Sequence, residues 1–418
     1  MVEFRSIKGT HDLLPDDLNV WQKITLIIHQ IMHQYGYSEI RTPSLENTEL
    51  FVLGVGNDTD IVNKEMFSWI DQGGNALTLK PELTAPVARA YIQHQLGNQN
   101  PMHRLYYFDT LFRRERPQKG RQRQFYQFGA EAIGSPNPEQ DAEIIAMAYH
   151  IYKDYNIKGL EVRINTIGSE NIRPTYLALL RTTLEKYRGE LCEACETRLK
   201  NNPLRIFDCK KPVCQEILDN NAPYIFDSIS SDDRHHFDSL TLMLHEMNIP
   251  FNHDNKLVRG LDYYTHTTFE ITSSALGAQD ALCGGGRYNG LIEKLGGKLT
   301  PAVGFAAGME RLILALGKME NIESKPDIYF ITMGEDANIR ACQIANNLRK
   351  NCGKTVILET LRRSMKAQMR DANRSGAKKV LILGDEELHK NIIIIKDMTT
   401  SEQLEIPILD IVNFISNH

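Results

Sequence analysis

Residues 105–131, LYYFDTLFRRERPQKGRQRQFYQFGAE, constrain the fold more than any other part of the chain. Two aromatic-rich segments, Leu105 to Phe112 and Gln124 to Ala130, have the length and residue types of β-strands. The segment between them is polar and strongly basic, so it is predicted to be an exposed loop. The whole stretch is therefore predicted to be a long β-hairpin, which belongs in an antiparallel sheet and not in a helical bundle.

Helices are predicted on both sides of this hairpin. Apolar residues between Asp17 and Tyr35 recur at helical spacing, and Gly36 stands where that helix would end. A second amphipathic helix is predicted from Pro138 to Asp154. Further strands are predicted at Glu39 to Pro43, Ala76 to Leu79, Lys256 to Arg259 and Tyr263 to Thr272.

Residues 170–250 differ in character from what surrounds them. They consist of helix-like stretches with little strand signal, and they carry four of the seven cysteines. Strand signals return afterwards, ending in a strand that runs into a helix, VGFAAGMERLILALG. We therefore predict one mostly antiparallel α+β domain, residues 1–323, with a helical insertion at about 170–252.

The glycine-rich segment CGGGRYNG, residues 283–290, could be mistaken for a phosphate-binding loop. It lacks the Lys-Ser/Thr ending and the strand–loop–helix frame of such loops. We predict a tight turn that lets the backbone approach a ligand closely.

A second domain is predicted at 326–418, after a polar linker from Glu320 to Pro326. Strands and helices alternate there at the spacing typical of a small α/β domain with a largely parallel sheet. Strands are predicted at Asp327 to Met333, Thr355 to Glu359, Lys379 to Leu383 and Asn391 to Lys396, and helices near 337–350, 365–375 and 409–416.

The distribution of charge matters more than its sum. The net charge of −5 argues against a general polyanion binder. Residues 112–123, however, carry six cations against one acid, and residues 362–379 carry seven against one. Runs of this kind are more often solvated surface charge than binding sites, so each needs support from its context.

Residue types within the hairpin suit a nucleoside triphosphate. Arg113 can donate two hydrogen bonds to phosphate oxygens. Glu115 can accept from an exocyclic amine, and Phe125 can stack on a purine. An isolated Arg-x-Glu in a hairpin is usually a surface ion pair, so the combination carries the inference.

The hairpin string closely resembles motif 2 of the class II aminoacyl-tRNA synthetases, in the form found in the histidyl-tRNA synthetase family. Five further segments resemble other signatures of that family, in the same order along the chain. They are KGTHDLLP (8–15), KPELTAP (80–86), LVRGLDYY (257–264), GFAAGMERL (304–312) and the whole region 326–418. Motif 2 indicates a class II synthetase, and LVRGLDYY narrows the resemblance, within that class, to the family that uses histidine.

This resemblance implies a class II catalytic domain built on an antiparallel sheet, followed by an α/β anticodon-binding domain. It implies that histidine is activated with ATP, accompanied by Mg²⁺, and is then transferred to tRNA(His). Because KGTHDLLP and the helix after it resemble the class II dimer motif, a homodimer is expected. A cytoplasmic location is expected, since the seven cysteines are sparse and odd in number, and no segment has the length of a signal peptide or a membrane span.

The resemblance implies a role for each residue of this chain that matches a family motif. Arg113 and Arg259 are implied to be catalytic, beside the α-phosphate. The implied histidine-binding residues are Glu82, Leu83, Thr84, Gln127, Glu131, Arg259, Tyr263 and Tyr264. Within that set, Glu131 and Tyr264 would hold the ring nitrogens and Glu82 and Gln127 the α-amino group. The implied ATP-binding residues are Arg113, Glu115, Arg121, Phe125 and Arg311. Arg116 and Gln118 would contact the acceptor end of the tRNA.

Two alternative functions fit the sequence less well. A non-catalytic relative, the regulatory subunit of ATP phosphoribosyltransferase, generally lacks the C-terminal domain and the active-site motifs, both of which this chain keeps. A prolyl, threonyl or glycyl synthetase would share the C-terminal domain, but LVRGLDYY argues against it.

Four cysteines leave a further question open. Cys192-x-x-Cys195 and Cys209-x₄-Cys214 roughly resemble a zinc-binding spacing. The alternative is four small, partly buried thiols in a helical insertion. No metal is expected there, because neither the fold nor the implied chemistry requires one.

Overall fold

The computed structural model describes residues 3–57, 59–118, 120–277, 280–317 and 325–417. The chain divides into two compact units, Met1–Glu320 and Asn321–His418. Most of the linker predicted at Glu320 to Pro326 lies outside the described residues. None of the described helices is both long enough and apolar enough to cross a bilayer.

An eight-stranded sheet organises the first unit, in the order β1-β5-β6-β11-β10-β9-β7-β8. It is antiparallel except at its two outer pairs, β1/β5 and β7/β8. A smaller antiparallel sheet has the order β2-β4-β3. The strands are β1 (Ser38–Glu39), β2 (Leu45–Asn47), β3 (Phe67–Ile70), β4 (Ala76–Leu79), β5 (His103–Phe112), β6 (Gln124–Ile133), β7 (Leu160–Thr166), β8 (Asn252–His253), β9 (Thr265–Ser273), β10 (Ala281–Arg287) and β11 (Ala302–Gly308).

Eleven α-helices are described in the same unit, apart from short 3₁₀ and π segments. They are α1 (Pro15–Gln34), α2 (Thr48–Val55), α3 (Thr84–Gln93), α4 (Leu96–Gln99), α5 (Pro138–Asp154), α6 (Arg173–Leu184), α7 (Glu193–Asn201), α8 (Pro212–Asn221), α9 (Ser231–Glu246), α10 (Leu291–Lys294) and α11 (Met309–Leu316).

The first helix shows how local sequence sets an element. α1 begins with a proline at its first position and two acids in its first turn, both of which favour a helix N-terminus. It ends before Gly36, whose φ is 78°. Its apolar stripe, Trp21, Ile24, Ile28 and Ile31, is buried. The helix predicted from Asp17 to Tyr35 is therefore confirmed.

Strand β6 separates the core from the opposite face of the large sheet. Phe128, Ala130 and Ala132 are buried in one apolar cluster with α1, α5 and α9. Because side chains alternate along a strand, Gln127 and Glu131 point to the other face. The alternation thus places the buried Glu131 and the half-buried Gln127 on the face that points away from this core.

A buried ion pair fastens α5 to the end of β10. Arg287 and Asp141 are fully buried, and the Arg287 Nε atom lies 3.1 Å from each carboxylate oxygen of Asp141. Burial alone would raise the pKa of Asp141, but the Arg287 guanidinium and His236 together outweigh it and hold the pKa at about 2. Carbonyl oxygens of Ser135 and Asn137 accept from the remaining guanidinium nitrogens, so the buried charge is fully hydrogen-bonded.

Helices α6 to α8 build a second apolar cluster. Leu180, Leu199, Ile206 and Leu218 are buried there together with Val87 of α3. Helix α9 behaves differently, because its apolar residues join the core beneath the large sheet. The helical segment is thus packed against the sheet domain at both of its ends.

The second unit is a five-stranded sheet, in the order β13-β12-β14-β15-β16, with helices. The first three of these strands are parallel, β15 runs antiparallel to its neighbour β14, and β16 in turn runs antiparallel to β15. Its elements are β12 (Ile328–Met333), α12 (Glu335–Cys352), β13 (Val356–Leu358), α13 (Met365–Arg374), β14 (Lys379–Gly384), α14 (Asp385–His389), β15 (Ile392–Asp397), β16 (Gln403–Pro407) and α15 (Ile411–Asn417). The predicted strand and helix alternation is confirmed.

Several local predictions were wrong. Of the strand predicted at Glu39 to Pro43, only Glu39 lies in a strand, β1. Lys256 to Arg259 is not a strand but a loop that follows a turn, in which the N–H of Leu257 donates to the carbonyl of Asp254. Within the glycine-rich segment, residues 283–287 belong to strand β10, and the predicted turn is confined to Asn289 and Gly290.

Strands missed by the sequence prediction include β3, β7 and β16. In β16, Leu404 and Ile406 do alternate with polar residues, but the strand is short and largely exposed.

Candidate functional site

Two adjoining cavities open on the polar face of the large sheet. One has a volume of about 430 Å³ and the other about 280 Å³. Both are lined by Arg113, Gln127, Arg259 and Glu270. The shared residues form a charged junction between two compartments, an arrangement suited to bringing two polar ligands into contact.

Glu131 lies at the closed end of the larger cavity and is almost fully buried. Its Oε1 atom accepts from the Thr84 hydroxyl at 2.9 Å and from the Tyr107 hydroxyl at 3.1 Å. Its Oε2 atom accepts from the Tyr288 hydroxyl. A carboxylate has about four acceptor positions, so one remains, on Oε2.

Close packing of the backbone fixes Glu131 in place. Gly304 on β11 is its cross-strand partner, and a Cβ at that position would overlap the Glu131 carboxylate. Burial raises the pKa of Glu131 to about 8, although the hydroxyls of Tyr288, Thr84 and Tyr107 oppose this by donating to it. The pocket thus holds a carboxyl group that titrates near neutral pH and has one acceptor position to spare.

Glu82 is a second buried carboxylate in this cavity. It accepts from the backbone N–H groups of Thr84 at 2.9 Å and Ala85 at 3.0 Å. It therefore satisfies two of the free donors at the start of α3. Burial raises its pKa to about 6, against the opposing effect of these N–H groups and of Arg113. Two buried acids make this end of the cavity attractive to cationic and N–H-donating groups.

Arg259 stands at the junction of the cavities. Its Nη1 atom donates to Glu270 Oε2 at 2.6 Å. The guanidinium lies over Gly284, where any Cβ would collide with it. Glu270 and Gly284 are cross-strand partners on β9 and β10. The glycine run therefore makes room for a protein side chain, and a rigid sheet holds Arg259 in one position.

Arg113 reaches the same junction from the end of the hairpin. Its Nε atom donates to the carbonyl of Pro81 at 2.8 Å, and its guanidinium lies 5.3 Å from the centre of the Phe125 ring. Glu115 pairs with Arg121 at 3.2 Å. In the smaller cavity, Phe125 is joined by Arg311, whose Nε atom donates to the carbonyl of Ala281 at 2.6 Å.

Two buried polar atoms at the junction lack a partner. Among the described residues, Gln127 Oε1 and Arg259 Nε are buried without a hydrogen bond. Buried polar atoms in folded proteins are nearly always paired. One unpaired acceptor and one unpaired donor, both lining cavities, mark places where a ligand would complete the network.

The two residue sets inferred from the sequence separate between the cavities. Glu82, Leu83, Thr84, Glu131, Tyr263 and Tyr264 line only the larger one, and Phe125 and Arg311 line only the smaller one. Arg113, Glu115, Arg121, Gln127 and Arg259 line both. Arg116 and Gln118 line neither and are exposed on the hairpin loop.

Sequence reasoning missed several lining residues. One is Tyr107, whose hydroxyl orients Glu131, and two others are Tyr288 and Glu270, which line the larger cavity. The three residues come from three different strands or strand ends. Arg205 and Asp208 reach the larger cavity from the helical segment. No sequence motif singles these residues out, because their roles depend on cross-strand register and on tertiary packing.

In the basic segment of the second unit, residues 362–379, only some of the cations pair with acids. Arg363 pairs with Glu359 at 2.8 Å, and Lys378 pairs with Asp327 at 2.8 Å. Lys366, Arg370 and Arg374 lie four residues apart on α13, so they share one exposed helix face, but Arg374 pairs with Asp371 at 2.7 Å. Lys366 and Arg370 are the part of this row that we expect to be available to an anionic partner.

Comparison with known proteins decides the family. A sequence model described as histidyl-tRNA synthetase matches residues 9–312, and one described as anticodon binding domain matches residues 327–418. The chain belongs to the histidyl-tRNA synthetase family.

Relatives extend over nearly the whole chain. A protein named histidine–tRNA ligase from Geobacillus sp. (strain WCH70) is 45% identical, covering 99% of this chain and 98% of the relative. A histidine–tRNA ligase 2 from Bacillus cereus is 47% identical over 96% of this chain and 95% of its own length. The crystal structure of apo histidyl-tRNA synthetase from S. aureus superimposes with a TM-score of 0.83 at 37% identity, covering 99% and 100% of the two chains. The histidyl-tRNA synthetase fold predicted from the motifs is thereby confirmed.

Proposed function

We propose that this member of the histidyl-tRNA synthetase family is a histidine–tRNA ligase. It activates L-histidine with ATP to histidyl-adenylate and then transfers the histidyl group to tRNA(His). The observation that carries this proposal is the separation of the two residue sets between adjoining cavities, with arginines at the junction. That is where a histidine carboxylate would meet the α-phosphate of ATP.

Recognition of the imidazole ring is assigned to Glu131 and Tyr264, as the resemblance implied. The remaining acceptor position on Glu131 would take the ring N–H, and Tyr264 lines the same cavity. Tyr107, Thr84 and Tyr288 would act through Glu131 by orienting its carboxylate. An amino acid without a ring N–H would leave this buried acceptor unpaired, which is how such a site discriminates.

The α-amino group of histidine is assigned to Glu82 and Gln127. The amide oxygen of Gln127 is a buried acceptor without a partner, and Glu82 supplies negative charge nearby. Leu83, Thr84 and Tyr263 would form the remaining wall of the pocket.

Arg259 and Arg113 are assigned the catalytic role at the α-phosphate. Adenylate formation is an attack of the histidine carboxylate oxygen on the α-phosphorus, with pyrophosphate leaving. Such a step needs alignment and fixed positive charge more than it needs an acid or base. Two arginines held by Glu270 and by the Pro81 carbonyl supply that charge with little reorganisation.

ATP would occupy the smaller cavity, with its adenine between Phe125 and Arg311 and with Glu115 and Arg121 beside it. Mg²⁺ fits this site because Glu115 and Glu270 offer carboxylate oxygens, the ligands that it prefers. When bound, it would neutralise charge on the ATP phosphates. Each of these carboxylates also has an arginine partner, so the ion would be shared with phosphate oxygens and water.

Transfer to tRNA would use the hairpin loop, on which Arg116 and Gln118 are exposed. The proposal is tested by aminoacylation with the purified chain, ATP, Mg²⁺, labelled histidine and total tRNA. We expect histidine to be esterified to tRNA. Failure to charge any tRNA by a chain that does form histidyl-adenylate would contradict the assigned second step.

Removing residues 326–418 should spare adenylate formation and impair transfer, because every cavity-lining residue precedes them. Losing one of two contact areas on a tRNA should weaken charging at limiting tRNA by about 10²-fold. Pyrophosphate exchange and charging rates of the truncated chain measure the two effects.

The full-length variant Lys366→Ala/Arg370→Ala provides a folded counterpart to that truncation. It should show a smaller charging defect, a shallower dependence on salt concentration and unchanged exchange. Equal loss of both activities in either protein would contradict this division of labour.

We further propose a homodimer in the cytoplasm. Apolar side chains of the N-terminal segment and α1 are exposed in the single chain, among them Phe4 (95%), Ile7 (71%) and Leu26 (68%). An obligate twofold interface that covers them should bury more than about 2,000 Å². All seven cysteines are free thiols, which suits a reducing compartment.

Sedimentation at micromolar concentration should therefore give a dimer. Leu26→Glu should shift the protein toward monomer, because it places a charge in the interface. Leu242→Glu, at an exposed leucine on α9, should not. A fully active monomeric wild-type chain would contradict the dimer.

A further inference from the structure

Four cysteines from separate parts of the helical segment lie together in space. Cys192 immediately precedes α7, and Cys195 lies in its first turn. Cys209 ends the helical turn from Pro203 to Asp208, and Cys214 lies in the first turn of α8. Three of the four are buried, and Cys192 is half-buried. The fold thus gathers two cysteine pairs that are far apart in sequence.

The sulfur atoms are spaced for a single ion. All four lie within 4.8 Å of one another, and the Sγ atoms of Cys192 and Cys209 are 3.9 Å apart. Four thiolates around one zinc ion, at about 2.3 Å each, would have edges of about 3.8 Å. A disulfide needs its sulfurs at about 2.05 Å, and all four thiols are free.

Neighbouring backbone groups also favour thiolates. The N–H of Cys192 donates to the Sγ atom of Cys214 at 3.3 Å. The sulfurs of Cys192, Cys195 and Cys214 lie at the N-terminal ends of α7 and α8, where helix dipoles stabilise negative charge. N–H donors to sulfur and helix N-termini are the surroundings that metal-binding thiolates need.

We propose that Cys192, Cys195, Cys209 and Cys214 bind one structural zinc ion. Four protein ligands leave no open position for water or substrate, so the ion holds the fold and takes no part in the chemistry. Each thiol loses its proton to solvent as its sulfur binds the metal. This proposal replaces the expectation, drawn from the sequence, that no metal is bound there.

The zinc ion would anchor one wall of the larger cavity. Between the two cysteine pairs, Asn202 Nδ2 donates to Asp262 Oδ1 at 2.8 Å, and Arg205 Nη1 donates to the Gly260 carbonyl at 3.1 Å. Gly260 follows Arg259 directly in the chain. Fixing both ends of the segment 195–209 therefore restrains the loop that carries Arg259.

Metal analysis of the full-length chain tests the site without reference to activity. Protein produced with zinc in the medium and purified under reducing, chelator-free conditions should contain about one zinc per chain. After the metal is removed, Co²⁺ should restore one equivalent and give the absorption bands of tetrahedral thiolate coordination. A chain that lacks zinc and gives no such cobalt spectrum would overturn the proposal, and so would an equivalent of iron in place of zinc.

Single substitutions locate the site. Cys214→Ser should lose most of the zinc, whereas Cys342→Ser, at an exposed cysteine of the second unit, should retain it. Zinc retained in full by a folded Cys214→Ser would overturn the assignment. If that variant does not fold, metal content and the cobalt spectrum of the wild-type chain decide alone.

Discussion

Replacing Arg259 by alanine is expected to slow histidyl-adenylate formation by about 10²–10³-fold, or about 2.7–4 kcal/mol. The side chain is held by Glu270 at 2.6 Å and lies over Gly284, and its Nε atom has no partner within the described residues. It is thus preorganised at the junction where charge builds up on the five-coordinate phosphorus. Arg259→Lys should recover little, because an ammonium group cannot reproduce a planar fork that faces two anions.

Single-turnover measurements separate the two half-reactions of the Arg259→Ala enzyme. Adenylation should carry the loss, and transfer from synthetic histidyl-adenylate to tRNA should suffer less, since that step attacks the carbonyl carbon. Arg163→Ala is the matched control, because Arg163 is a partly buried arginine paired with Glu161 at 3.0 Å and lines neither cavity. A folded Arg259→Ala enzyme with normal adenylation, or with its loss confined to transfer, would remove Arg259 from the catalytic role.

Glu131→Gln is expected to raise the KM for histidine by roughly 10- to 150-fold, because the substitution removes a hydrogen bond to a charged group and such a loss costs free energy of that size. Glutamine keeps the volume of the buried side chain, which limits structural damage. The KM for ATP should change little, because Glu131 lines only the larger cavity. Glu143→Gln, at a partly buried carboxylate outside both cavities, should leave the KM for histidine unchanged.

The pH dependence of histidine binding provides a second test of Glu131. Its pKa is raised to about 8 by burial, so in the free enzyme the carboxyl group is protonated below that pH and ionises above it. Wild-type KM should therefore fall as pH rises through about 8, and Glu131→Gln should lose this dependence. Free histidine titrates identically for both enzymes, so the ratio of their KM values isolates Glu131. A constant ratio from pH 7 to 9 would contradict the assignment.

The sequence predicted elements best where local pattern and tertiary role agree. α1, α5 and the β5–β6 hairpin combine strong periodicity with clear ends, and all three were confirmed. The loop at residues 256–259 was mistaken for a strand because one of its two apolar residues, Val258, lines the ligand cavity and does not belong to a sheet. At such positions the hydrophobic pattern reflects the site and not secondary structure.

The three glycines of β10 are a second case in which the local sequence pattern does not predict the secondary structure. Three consecutive glycines indicate a turn by local propensity. In β10 they are needed because Arg259, Phe269 and Tyr264 occupy the space that Cβ atoms would fill. Only the three-dimensional neighbours explain that requirement. Tyr107 and Tyr288 escaped notice for the same reason, since register alone brings them to Glu131.

Amino-acid-dependent exchange of pyrophosphate into ATP tests the central claim most directly. The full-length chain, with ATP and Mg²⁺, should catalyse exchange with L-histidine and not with proline, threonine, glycine or phenylalanine. Exchange supported by one of those amino acids would assign the larger cavity to a different substrate. No exchange with any amino acid, from a folded chain, would contradict a synthetase and favour a regulatory relative that has lost catalysis.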